Sequence, residues 1–115
     1  MVEENEIRAS LSHFERGRIA VLAAKQGAFD SIEGAINHLF RHASKSKRSK
    51  IRSFAELFEC LGDLMSFAED LSERRGLSLA TAIHHGAEND LRAVLASGQA
   101  STADEEWALL EPVIA

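Results

Sequence analysis

The stretch Ser44-Lys45-Ser46-Lys47-Arg48-Ser49-Lys50-Ile51-Arg52-Ser53-Phe54-Ala55-Glu56-Leu57-Phe58-Glu59-Cys60-Leu61 decides how this chain folds. Hydrophobic residues return at Ile51, Phe54, Ala55, Phe58, Leu61 and, just beyond, Met65, the three- and four-residue spacing of one helix face. The opposite face carries Lys45, Arg48, Ser49 and Arg52, then Glu56, Glu59 and Asp63. A helix beginning near Ser44 or Ser46 is therefore expected, basic in its first turns and acidic in its later ones. Phe54 and Phe58 on the apolar stripe are expected in the core.

That order of charges opposes the helix dipole, which favours acids at the N-terminus and bases at the C-terminus by about 0.3–1 kcal/mol per charge. Lys45, Lys47 and Arg48 thus cost stability where they stand, and an anionic ligand would offset the cost. The wider charge distribution agrees. The chain of 115 residues has a formal net charge of −5, yet Gly34 to Ala55 contains no Asp or Glu and holds Arg41, Lys45, Lys47, Arg48, Lys50 and Arg52. A compact basic segment on an acidic body attracts a polyanion locally while the rest of the surface repels it, which orients the encounter. A solvated lysine-rich loop is the bland reading of the same charges.

Working outward, Ser12-His13-Phe14-Glu15 is a capping box and Gly27 is placed to end the helix it opens, so a helix is expected over about Ser12 to Gln26. Ile32, Ala35, Ile36, Leu39 and Phe40 form a short amphipathic helix after the candidate caps Asp30 and Ser31. Beyond Gly62 the pattern reads as helical pieces over about 63–73, 77–85 and 87–97, punctuated by Gly76, Gly86 and Gly98, with Leu77, Ala80, Ile83, Leu91, Val94 and Leu95 as packing residues. A last helix opens on Thr102-Ala103-Asp104-Glu105 and places Trp107, Leu110 and Ile114 on one face. Trp107 reads either as core or as a dimer or partner contact. Pro112 should fray or end that helix.

The expected fold class is all-α, an orthogonal multi-helix bundle containing a helix-turn-helix-like motif over about residues 31–61, with C-terminal helices over about 63–115. Residues 12–115 read as one domain, since the length suits a single core and the Ala, Leu, Glu and Arg content favours helices. Residues 1–11 read as a tail or linker. No apolar run has the length of a membrane span, and Met1-Val2-Glu3-Glu4-Asn5-Glu6 is acidic where a signal peptide is basic and then apolar, so a cytoplasmic location is expected. The lone Cys60 has no disulfide or zinc partner and reads as an ordinary helix residue.

Two helices, a connection and a basic start to the second describe a helix-turn-helix, whose second helix enters the major groove. The segment Glu4-Asn5-Glu6-Ile7-Arg8-Ala9-Ser10-Leu11-Ser12-His13-Phe14-Glu15-Arg16-Gly17-Arg18 resembles the passage from the N-terminal to the central DNA-binding domain in the ParB/RepB family of partition proteins. The matching pattern is Glu-Asn, an Arg three on, then Leu-Ser and Glu-Arg. Lys45 to Phe54 lies where that family carries its recognition helix. Leu61-Gly62-Asp63 and Glu73-Arg74-Arg75-Gly76-Leu77 are similar to the helices that follow in the RepB-like branch.

The resemblance implies binding of a plasmid centromere-like duplex, nucleoid or plasmid association, a homodimer, and cooperation with an N-terminal ParB-type domain and a partition ATPase. It also implies that the chain is part of a larger protein, because the family's nucleotide-binding and dimerisation domains have no counterpart here. The connection from Phe40 to Ser44 or Ser46 is longer than the usual turn of about four residues.

The DNA-binding residues expected from charge and spacing are Arg41, Lys45, Lys47, Arg48, Ser49, Lys50 and Arg52. Lys45, Arg48, Ser49 and Arg52 share a face that can meet base edges, while Lys47 and Lys50 project to the sides toward phosphates. No enzyme is expected: there is no glycine-rich phosphate loop, no serine nucleophile motif, and no cofactor signature. His84 and His85 are neighbours and diverge, and His38 and His42 lack a third ligand, so no metal is expected. The competing readings are a helical protein-interaction module, with the basic segment docked on an acidic partner, and a transcriptional regulator domain without a partition role.

Overall fold

Serine hydroxyls set where four of the helices begin. The computed structural model describes residues 11–114, and these form α1 (His13–Lys25), α2 (Ile32–Leu39), α3 (Lys45–Leu61), α4 (Glu73–His84), α5 (Glu88–Ser97) and α6 (Ala103–Ile114), with one 3-10 turn at Ala68–Asp70. Ser12, Ser31, Ser44 and Ser72 each accept the amide of the third helical residue, an arrangement worth about 1 kcal/mol at each start. At α1 the capping box closes completely: Ser12 Oγ accepts Glu15 N–H and the Glu15 carboxylate accepts Ser12 N–H. At α6 Thr102 Oγ1 accepts Glu105 N–H, but the Glu105 carboxylate reaches back to Ser101 N–H. Gly27 ends α1 with φ of 86°, a backbone state that residues with a Cβ rarely adopt.

The fold class is all-α, and no strand occurs among the described residues. None of the helices is long and apolar enough to cross a membrane. The expectation of a tail over 1–11 falls outside the described residues except at Leu11.

α3 is the axis of the bundle, packed against α1, α2, α4 and α5. Its buried face is consequently wider than one stripe. Ile51, Phe54, Ala55 and Leu61 are buried as their spacing predicts, while Leu57, off the stripe, is also fully buried and Phe58 is only half-buried. Phe58 meets Phe14 of α1 edge to face at 5.8 Å. The main core joins Phe14, Phe54, Leu57, Leu61, Leu71, Leu79, Leu91, Leu95 and Leu110. A smaller core of Ala20, Ala35, Ile36 and Ile51 fastens α2 to α1 and to the first half of α3. That second cluster positions the α2–α3 turn.

The segment 63–73 departs from the expected helix. After Gly62 the chain turns: Leu64 and Met65 amides both donate to Leu61 O, and only the Ala68–Asp70 turn follows before Ser72 caps α4. The cause is remote in sequence. Glu106 of α6 is 4% exposed, and its carboxylate accepts the amides of Ser66 and Phe67 at 2.8 and 2.9 Å, holding the segment open. Because α4 starts at Glu73, its inner face is Gly76, Leu79 and Ala80, and Leu77 is half-buried.

Arg92 of α5 closes the other end of α3, donating to Cys60 O at 2.7 Å and forking onto Asp63 at 2.8 and 2.9 Å. The guanidinium holds the exposed Asp63 carboxyl below its ordinary range. Burial, reinforced by Glu88, Glu56 and Glu59, pushes the Cys60 thiol up to about 11, so it stays protonated and unreactive near neutral pH.

In α6, Leu110 is buried, and Trp107 and Ile114 pack against the main core. The Arg75 guanidinium lies 5.0 Å from the Trp107 ring centre. The helix continues past Pro112 to Ile114. A proline this close to a helix end removes one backbone hydrogen bond, and the carbonyl it orphans belongs to the exposed Ala108, where water can serve it.

Candidate nucleic-acid interface

The basic residues occupy the turn Phe40–Ser44 and the first two turns of α3. Ser44 caps α3 through Lys47 N–H at 3.1 Å, so helix begins at Lys45, as the face containing Lys45, Arg48, Ser49 and Arg52 requires. Five residues separate the two helices, one more than the usual turn.

The seven candidate residues fall into three groups by what they touch. Arg41 and Arg48 are tied to backbone carbonyls. Arg41 donates to His38 O at 3.0 Å, and Arg48, half-buried, reaches back to Ala43 O at 2.6 Å and Arg41 O at 3.5 Å. Arg48 thereby satisfies carbonyls that the turn leaves without backbone donors, and it staples the turn to α3. Lys50 and Arg52 are tied to acids from outside the segment. Lys50 Nζ lies 3.1 Å from Glu73 at the start of α4, and Arg52 pairs with Glu33 at the start of α2. Lys45, Lys47 and Ser49 are exposed. The side chains of Lys45 and Lys47 have no partner among the described residues.

The electrostatic consequence is that two of the six cations are neutralised by Glu33 and Glu73. Arg41, Lys45, Lys47 and Arg48 keep uncompensated charge, since neutral carbonyls orient a guanidinium without cancelling it. Arg48 combines two duties, and its removal is expected to lower stability by about 1 kcal/mol through loss of the part-buried bond to Ala43 O. Urea unfolding of Arg48→Ala beside Lys45→Ala measures this. An Arg48→Ala protein as stable as Lys45→Ala would show that the turn holds without the guanidinium.

The structure also joins residues that lie far apart in the sequence. Lys47 and Lys50, expected merely to project sideways, line a groove of about 330 Å³ together with His13 and Arg16 of α1 and Glu73 of α4. The His13 ring stacks on Phe54 with centroids 5.3 Å apart. Nothing in the local sequence around Ser12 signals this. His13 and Arg16 are one helical turn apart, but only the packing of α1 on α3 shows which face they share.

Among the described residues, no three His, Cys, Asp or Glu side chains are grouped as metal ligands. His84 instead meets Glu56 at 3.1 Å across α4 and α3. No protein-family model matches the chain, and no curated protein or solved structure matches it.

Proposed function

We propose that this chain is a DNA-binding domain that holds duplex DNA through the α2–α3 turn and the first half of α3. One observation carries the reading: a segment with no acid of its own keeps four of its six cations uncompensated among the described residues, in a chain whose eighteen acids all lie elsewhere in the sequence. Lys45, Lys47 and Ser49 project from the first turns of α3, where a helix entering the major groove would present them. The small core behind Ile36 and Ile51 supports the turn as a rigid unit.

The resemblance to the ParB/RepB partition family gives the proposal its detail: a plasmid centromere-like duplex as ligand, action as a homodimer, and partnership with an N-terminal ParB-type domain and a partition ATPase.

The test is a titration with random and centromere-like duplexes at two salt concentrations. Each phosphate neutralised contributes about 0.9 to the slope of log affinity against log salt, so four contacts reduce affinity roughly a hundredfold between about 50 and 200 mM. A flat response, or no duplex binding at low salt, would overturn the reading in favour of an acidic protein partner on the same residues.

A further inference from the structure

We propose that the groove between α1 and the start of α3 seats one backbone phosphate of the bound duplex, and that Glu73 occupies Lys50 until that phosphate displaces it. The inference rests on the DNA-binding reading and assigns a role to residues outside the basic segment.

Among the described residues that line the groove, Lys47 and Lys50 from α3 face one carboxylate, that of Glu73, so the groove carries a net positive charge without counting Arg16 or His13 of α1. A concave site walled by Ile51 and Phe54 concentrates that field more than a flat lysine patch does. The cationic side chains define the site, because the Ser44 hydroxyl already holds the Lys47 amide.

Two ammonium groups side by side suit a phosphate, which each meets as a compact point charge. The Lys50–Glu73 pair is 38% and 44% exposed, and pairs of that kind contribute little, so exchange of one anion for another is easy. A duplex phosphate is favoured over a free one because Lys47 belongs both to the groove and to the exposed first turn of α3. A strand lying along α3 would pass from one to the other.

Two acids make a matched test. Glu33→Gln and Glu73→Gln each remove one negative charge and release one cation, Arg52 outside the groove and Lys50 within it. Affinity for duplex DNA and its salt slope are measured for the wild type and both variants, with circular dichroism to confirm that each is folded. Glu73→Gln is expected to bind several-fold tighter, with a slope steeper by about one, and Glu33→Gln to change less. Adding Lys50→Gln to Glu73→Gln should remove the gain.

Equal gains from both variants would mean that only net charge matters and would overturn the proposal, as would a gain from Glu33→Gln alone. Millimolar inorganic phosphate at constant ionic strength should leave the advantage of Glu73→Gln intact; its disappearance would make the groove a site for free anions and overturn the duplex assignment. Absence of duplex binding by all three proteins would instead overturn the DNA reading itself.

Discussion

Phe54→Ala is expected to lower the free energy of unfolding by about 3–5 kcal/mol, the range for truncating a buried aromatic ring. Phe54 is 1% exposed and belongs to the main core. Its ring lies against Gly76 of α4 on one side and stacks on His13 of α1. Three helices therefore lose a common contact at once. Local collapse is restricted, because Gly76 has no side chain to move into the space and its helix is held by Leu79 and Ala80. Domains of this kind have only about 5–15 kcal/mol in total, so the variant should unfold at a markedly lower urea concentration. A loss below about 1 kcal/mol would mean that α4 closes onto α3 without the ring. Phe58→Ala should cost less, because its ring is only half-buried.

Gly17→Ala is the second large effect, and it acts through the backbone. A Cβ at Gly17 would lie 2.6 Å from the Phe54 carbonyl carbon and within 2.9 Å of Ala55 Cα. A side-chain clash can be relieved by a rotamer change, but here the obstacle is the backbone of α3, so α1 must move away. Overpacking of this kind costs typically about 1–3 kcal/mol, and backbone contact places Gly17→Ala at the upper end. The separation would also widen the groove between His13, Arg16, Lys47 and Lys50, so DNA affinity should fall along with stability. Thermal and urea unfolding check the first consequence and the duplex titration the second. An alanine variant as stable as the wild type would show that α1 and α3 approach less closely than described.

The two effects bear on function because α3 has two halves with different surroundings. Its second half is clamped in the main core by Leu57 and Leu61 and closed by Arg92 on Cys60 and Asp63. Its first half rests on the smaller core with α2 and presents cations outward. Loss of Phe54 or separation at Gly17 disturbs the junction between the halves, whereas substitutions at Lys45 or Lys47 leave the packing untouched and test the surface alone.

Local signals in the sequence determined most of the helix starts and the polarity of the basic segment. A serine followed by an unpaired amide three residues on is a contact made within one turn, so Ser12, Ser31 and Ser44 are legible without the fold. The periodicity of Ile51, Phe54, Ala55 and Leu61 is equally local, and so is the absence of acids from Gly34 to Ala55. Contacts between distant residues were decided only by the tertiary structure. Leu57 is buried because four other helices pack on α3, and the breadth of that cover is not encoded in a single stripe. The segment after Gly62 shows helical spacing, yet the Glu106 carboxylate, forty residues away from Ser66, takes its amides and prevents the helix. The basic residues were legible as a set, but Glu33 on Arg52, Glu73 on Lys50 and the retreat of Arg48 to Ala43 O were not, because each pairing depends on where a neighbouring helix begins or how the turn closes. Charge is a property of composition; which charges remain available to a ligand is a property of packing.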